Sequence, residues 1–465
     1  MLFFYNRKLV SDNYKQVHKA RKKRFNLLLI PYLAALLIAH PGESFAETLK
    51  HNEISLDEAL EEVMVKNYRI AAAEVEVRQH EAAVREARST LLPKLVALGD
   101  YTKNEEPTLV SPMHGSPEPA NPLEFDRDIY TGVLRLDIPI IDLASLYSVG
   151  AMRHMRNAGK ARASIVEQNV IAGVIEVFVQ MAQLSDSLAL MDSHITTLKR
   201  RHEELETLSR EGRVSPASLA ELTASLDSAI SDRLEILYQK DVVAYRLGEM
   251  LGRSEAVYPR NHGFSVSAIN KDDFDEKTVS GPGSLAADAQ YAAAQEAKKS
   301  TLSAFAPRLS GFASQTFRAS AETDIASEWA LGLSVSMPIF TGGERAAHLQ
   351  SAEARLKAAR YELDAARTNE QSEAQIAMLR SDNAASRREY LAKAVENQEL
   401  TVQAAEFRYS EGRSSLSDVL TEEAALLELR LRERSMLYEE LLSYVAYYKL
   451  AGKLTPSLAG KFIQE

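Results

Sequence analysis

The stretch Trp329-Ala330-Leu331-Gly332-Leu333-Ser334-Val335-Ser336-Met337-Pro338-Ile339-Phe340-Thr341-Gly342-Gly343-Glu344-Arg345 decides the fold. Its first nine residues alternate. Trp329, Leu331, Leu333, Val335 and Met337 share one face, opposite Ala330, Gly332, Ser334 and Ser336. A period of two marks a strand, and Pro338 interrupts it because proline has no N–H for a ladder. Beyond the glycine pair, residues 344–410 hold no proline and no glycine. That pattern predicts a helix of about 67 residues, roughly 100 Å long at 1.5 Å per residue. Globular helices average about 11–12 residues, so coiled-coil packing is expected, on an Ala-, Leu- and Val-rich seam.

The stretch has a counterpart earlier in the chain, where Gly132-Val133-Leu134-Arg135-Leu136-Asp137-Ile138-Pro139-Ile140 stands against Gly332 to Ile339. Other landmarks recur in the same order. Leu91-Leu92-Pro93-Lys94-Leu95 returns as Phe305-Ala306-Pro307-Arg308-Leu309, with Asn67-Tyr68 and Gly281-Pro282 each beginning 26 residues before the proline. Ser209-Arg210-Glu211-Gly212-Arg213 returns as Ser410-Glu411-Gly412-Arg413, and Val243-Ala244-Tyr245-Arg246-Leu247 as Val445-Ala446-Tyr447-Tyr448-Lys449-Leu450. Five such matches in order define a duplication. The first repeat is 47–252 and the second 284–465, joined by an irregular linker at 253–283 with Pro259, Gly263 and Gly281-Pro282-Gly283.

Each repeat is expected to run helix, two strands, long helix, return helix. Residues 55–91 and 284–305 read as Ala- and Glu-rich helices stopped by Pro93 and Pro307. Strands are expected at 94–103 and 129–138, then at 308–317 and 329–337, with Tyr130, Leu134, Leu136 and Ile138 on one face of the second. About ten residues is the length a tilted strand needs to cross a bilayer, and interface aromatics, here Trp329 and Tyr130, sit near such strand ends. Long helices are expected at 143–210 and 344–410, with return helices at 216–251 and 416–451. Gly212 and Gly412 suit the left-handed residue that ends a helix. Ser215 before Pro216 is an N-cap with proline at N1, and Ser415-Leu416-Ser417-Asp418 is a capping box. Each repeat therefore displays a helical tip far from its strands. The loop 104–122, with five prolines, reads as an exposed excursion; Met113-His114 within it is a soft-metal pair or a solvent-facing turn.

Composition narrows the function. The 465 residues are 26% charged and 45% hydrophobic, which fits neither a disordered chain nor a polytopic helical membrane protein. With no cysteine there is no disulfide, thiolate site, Cys nucleophile or acylated cysteine. Arg7, Lys8, Lys15, Lys19 and Arg21–Arg24 precede an apolar run from Phe25 to Ala39 and Ser44-Phe45-Ala46. That order describes a secretory signal over 1–46, with an uncleaved anchor as the other reading. Its removal leaves 47 basic against 63 acidic residues, a net charge of −16, which disfavours nucleic acid. No later window reads as a spanning helix, so a membrane crossing would be a β-barrel. The ten histidines form no His-Glu-x-x-His, and no phosphate loop or nucleophile elbow is present. No enzymatic activity, cofactor or metal is expected.

On these residues the chain resembles the TolC-like outer-membrane efflux protein family (outer membrane factors), from about Ile54 to Gly452. Met337 to Arg345 is similar to that family's strand-to-helix junction. The first copy lacks the glycine pair, and Tyr68 stands where many members have proline. The resemblance implies a mainly α protein with a membrane β-barrel portion. It implies a homotrimer with a 12-stranded barrel on an α-helical tunnel, set in the outer membrane of a Gram-negative cell with a long periplasmic portion. The implied partners are a periplasmic adaptor (membrane fusion) protein, an inner-membrane transporter and outer-membrane lipid. The implied function is the outer-membrane channel of a tripartite efflux or type I secretion system. The alternative is a periplasmic coiled-coil adaptor or structural protein anchored in the inner membrane, which leaves the duplicated strands unexplained. The tips, Gly212, Arg213, Gly412 and Arg413, are the implied adaptor contacts. Asp418 matches a constriction carboxylate, with Arg413 as its restraining partner and Glu422 one turn on as a second candidate. Asp418 is equally the N3 residue of a helix cap. The first copy has Ser218 there, and Arg213 also reads as a solvated charge.

Overall fold

A computed structural model of the protein describes residues 53–109, 125–260, 263–264, 280–320, 325–460 and 463–464. The secretory segment 1–46 and the Met113-His114 pair lie outside them. In chain order the elements are β1 (Glu53–Ile54), α1 (Leu56–Lys66), α2 (Tyr68–Ser89), β2 (Lys94–Leu109), β3 (Phe125–Ile141), α3 (Leu143–Arg210) and α4 (Pro216–Met250). After them come β4 (Tyr258–Pro259), β5 (Gly263–Phe264), α5 (Pro282–Ser303), β6 (Arg308–Ser320) and β7 (Ala326–Ser336). The last are α6 (Glu344–Ser410), α7 (Leu416–Leu450), α8 (Pro456–Ala459) and β8 (Ile463–Gln464).

The long helices, of 68 and 67 residues, span the expected ranges 143–210 and 344–410, both free of proline, and the first carries Gly150, Gly159 and Gly173 within it. The expected helix over 55–91 is instead two helices. Asn67 takes an extended conformation at φ −71, ψ 122 and ends α1. Its Oδ1 then accepts from the N–H of Arg69 at 2.9 Å and of Ile70 at 3.4 Å, starting α2. An asparagine side chain competes with helical hydrogen bonds in this way, which apolar periodicity does not register. The linker is also less irregular than expected. Tyr258–Pro259 pairs in parallel with Glu53–Ile54, and Gly263–Phe264 pairs with Ile463–Gln464.

The main core lies at mid-height of the long helices. Leu56 and Leu60 of α1 pack with Ile171 and Ile175 of α3, Leu247 and Leu251 at the end of α4, Leu441 of α7 and Leu454, all less than 2% exposed. Burying one such side chain stabilises by about 1.5–3 kcal/mol. Gln168 of α3 holds the C-terminal segment here, donating to the Leu454 carbonyl and accepting from its N–H, both at 3.0 Å. This core corrects the expectation that no later window reads as a spanning helix. α3 does contain a window long and apolar enough to cross a membrane, and more than half of it is buried inside the chain. A second core joins Leu198 and Leu205 of α3, Leu222 of α4 and Leu416 of α7 towards the tips.

Four strands form one antiparallel sheet in the order β2-β3-β6-β7, the middle pairing joining the two repeats. All four run longer than expected, so Trp329 is the fourth residue of its strand rather than the first. Register corrects one repeat match. Gly132 lies opposite Phe317, whereas Gly332 lies opposite Phe312, so the two glycines fall on opposite faces. Counting back from Pro139 and Pro338 instead sets Leu134 against Leu333 and Tyr130 against Trp329. All four strands then share one apolar side. Leu95, Tyr101, Tyr130, Leu134, Leu136, Leu309, Trp329, Leu331 and Val335 line it, while Asp100, Arg135, Asp137, Ser310, Ser314 and Ser334 line the other.

Candidate functional site

Both tips are built by the same backbone device. At the end of α3, Gly212 is left-handed (φ 72), Arg213 N–H donates to the Leu208 carbonyl at 2.9 Å, and Gly212 N–H to Ser209 at 3.0 Å. At the end of α6, Gly412 (φ 71) repeats this with Arg413 to Arg408 at 2.8 Å and Gly412 to Tyr409 at 3.0 Å. The paired bonds satisfy carbonyls that a helix end leaves open, and glycine carries no Cβ penalty in this conformation. All four residues are exposed. Among the described residues Arg213 pairs with Glu211 alone, at 3.4 Å.

The return helices start differently. Ser215 Oγ accepts the Ser218 N–H at 3.2 Å. Ser415 Oγ accepts the Asp418 N–H at 3.2 Å, and Asp418 Oδ2 accepts the Ser415 N–H at 2.9 Å, closing the reciprocal box. Those bonds from Ser415, with the Arg408 charge adding to them, hold the exposed Asp418 carboxyl below the usual carboxylate range. Within the chain the Arg408 charge also acts on Asp418. Glu422 is turned towards α6, accepting from Gln398 Nε2 at 2.6 Å.

Sequence reasoning missed a buried ionic cluster above the tips. Arg201 of α3 donates to Glu406 of α6 at 2.9 Å and to Glu423 of α7 at 2.6 Å, so one guanidinium joins the first hairpin to both helices of the second. Arg201 is 9% exposed and Glu423 8%. Burial pushes the Glu423 carboxyl up, and the Glu406 charge adds to this while Arg201 opposes it. The signal was present. Arg201 stands in a buried stripe with Leu198 and Leu205, and Glu423 in one with Leu416 and Val419. Charges at core-facing helical positions need partners, but nothing in the sequence names partners some 200 residues away. Tyr438 of α7 adds a second link between hairpins, donating to Asp186 of α3 at 2.9 Å.

Away from the tips, the apolar side of the sheet stands open. Trp329 and Leu331 are each 75% exposed, Leu333 72% and Tyr130 51%. No further strand pairs with the outer edges of β2 and β7 among the described residues. An open-edged sheet with a bare apolar face is unstable in water.

Comparison with known proteins agrees with this architecture. Residues 284–453 match the family described as outer membrane efflux protein. The fold is similar to that of the outer membrane protein VceC from Vibrio cholerae, at 18% identity and TM-score 0.71 over 85% of this chain and 96% of that one. It is similar to the Campylobacter jejuni CmeC outer membrane channel, at 16% identity and TM-score 0.72 over 93% and 95%. It is also similar to a membrane protein from Pseudomonas aeruginosa, at 17% identity and TM-score 0.75 over 85% and 93%. No curated protein sequence matches the chain significantly.

Proposed function

Because residues 284–453 match the outer membrane efflux protein family, we propose that three copies close one barrel in the outer membrane and serve as the exit duct of an export system. The observation that carries this reading is the four-stranded sheet with one apolar side and two unpaired edges. Four strands cannot close a wall in lipid, whereas three copies supply twelve, within the range of outer-membrane barrels. Tyr130 and Trp329 stand at equivalent places in the two repeats, as an aromatic girdle requires. The helical hairpins then extend into the periplasm, and their exposed tips meet a periplasmic adaptor that connects the duct to an inner-membrane transporter. The adaptor alternative gives the apolar sheet no role.

In this reading the Arg201 cluster and the Tyr438–Asp186 bond hold the hairpins together at rest, and three Asp418 carboxylates approach the axis. Close carboxylates favour cations and titrate as a coupled set.

The test is cell fractionation with mild-detergent extraction of the full chain. A trimer in the outer-membrane fraction that dissociates on boiling, conducts in planar bilayers and co-purifies with an adaptor is the expected result. A chain found in the inner membrane as a monomer would overturn the reading.

A further inference from the structure

A cavity of about 400 Å³ lies where β6 gives way to the helices, between α5, the first three turns of α6 and the start of α3. Its charged lining is of one sign: Arg308, Arg345 and Arg355, with His348 beside them and no carboxylate among the lining residues. In a chain with 65 acidic against 55 basic residues, such a concentration is unexpected.

Not all of these cations are explained by structural duties. Arg345 donates to the Pro338 carbonyl at 2.8 Å and lies over the Phe305 ring, 5.5 Å from its centroid, so it braces the strand-to-helix turn. Arg308 lies 3.7 Å from Asp142, whose carboxylate is already engaged by the N–H and hydroxyl of Ser145 at 3.1 and 2.8 Å. His348 stands 3.5 Å from Glu344 at the outer rim. Arg355 forms no ion pair among the described residues. Residues 345, 348, 352 and 355 follow one another at helical spacing, so Arg345, His348, Ala352 and Arg355 share one face of α6 along the cavity, with a guanidinium at each end.

We propose that this cavity is a binding site for a phosphate-type oxyanion, with Arg355 and Arg308 as its principal ligands. Guanidinium forks match the paired oxygens of phosphate, and several converging on one cavity favour a polyanionic group over chloride. Arg308 lies on the polar side of the sheet, in register with Ser336 and two residues from Ser310. Resting on the barrel reading, that side faces the lumen, so the ligand is a phosphate-bearing solute in the duct, and a trimer carries three such sites at the junction of barrel and tunnel.

The experiment is equilibrium dialysis of the full chain in neutral detergent against radiolabelled inorganic phosphate and pyrophosphate at constant ionic strength. One saturable site per chain is expected, with affinity about tenfold weaker in Arg355→Gln and unchanged in Arg78→Gln on the exposed side of α2. Absence of saturable binding, or equal loss in both variants, overturns the proposal. A second arm adds vesicles of phosphatidylglycerol or phosphatidylcholine. Displacement of phosphate by phosphatidylglycerol alone would make this a lipid-headgroup site and overturn the assignment to a solute. Binding in detergent does not require conduction. A protein that binds phosphate but forms no channels breaks the duct reading and leaves the site, and one that conducts without binding breaks the site alone.

Discussion

The helices α2 and α5 occupy the same place in the two repeats, yet their first turns are secured by different chemistry. In the first repeat Asn67 caps α2 with its own side chain, while its Nδ2 donates to the carbonyl of Met250 at 2.8 Å. In the second, Gly281 offers no side chain. Glu370, reaching from α6, accepts the N–H of Gly281 at 3.0 Å and of Ser284 at 2.8 Å. Met250 and Leu450 are the last residues of the two return helices, so each start rests on the end of a return helix. The first copy touches it through an amide; the second brings backbone against backbone. Duplication preserved the contact and moved its chemistry from a neighbour in sequence to a residue 86–89 positions away. The first start is therefore capped by its own neighbour and tied to α4 alone, and the second binds α5, α6 and α7 into one unit.

The strongest way to break this contrast is Gly281→Ala. A Cβ there would lie 1.9 Å from the Leu450 carbonyl oxygen and 2.9 Å from Glu370 Oε1, and the nearer atom is backbone that cannot rotate away. We expect a loss of about 3 kcal/mol in urea unfolding of the detergent-solubilised chain, at the upper end for overpacking. A loss under about 1 kcal/mol would mean that α5 can retreat from α7, and that the close approach is not required.

Glu370→Ala comes next. It leaves two buried N–H groups without acceptors, at a cost of about 2 kcal/mol. Hydrogen exchange should quicken at Gly281 and Ser284 and along the facing turns of α6, since the cap joins both. Asn67→Ala should cost less, about 1 kcal/mol, as for other N-caps, with faster exchange confined to the first turn of α2. If the two substitutions spread equally far through the fold, the distinction between a local and a distant cap fails.

How much of this was legible follows from the same contrast. The limits of the long helices, the tips and the Ser415 box were readable because each rests on residues within one helical turn. Asn67 carried a cap signal but sat inside a continuous apolar periodicity, so the break it makes was overlooked. Glu370 looked like one solvated carboxylate among many on α6, and Arg201 like one more surface arginine. Their roles depend on partners brought together only by packing. The common apolar side of the sheet was visible strand by strand, but the correct repeat register required the pairing itself.

The tips offer the smallest and sharpest comparison. Ser218 and Asp418 occupy equivalent N3 positions, but only Asp418 accepts the backbone N–H of its N-cap, while the Ser218 hydroxyl meets the Ser215 hydroxyl at 3.0 Å. Its carboxyl is held below the ordinary range, so its contribution to stability is present above the unfolded value of about 3.9 and is lost as pH falls through the lower folded value. Ser218→Asp should give the first tip the same box and the same acid sensitivity, read as slower exchange at the Ser215 N–H above that range. The two roles of Asp418 then separate through a pair of substitutions. Asp418→Asn keeps an oxygen acceptor for the Ser415 N–H but removes the charge, whereas Asp418→Ala removes both. A carboxylate that only caps the helix predicts normal cation selectivity in planar bilayers for both variants, with a frayed tip in the alanine variant alone. A carboxylate at the constriction predicts that both variants lose cation selectivity to the same degree, including the asparagine variant whose tip remains intact.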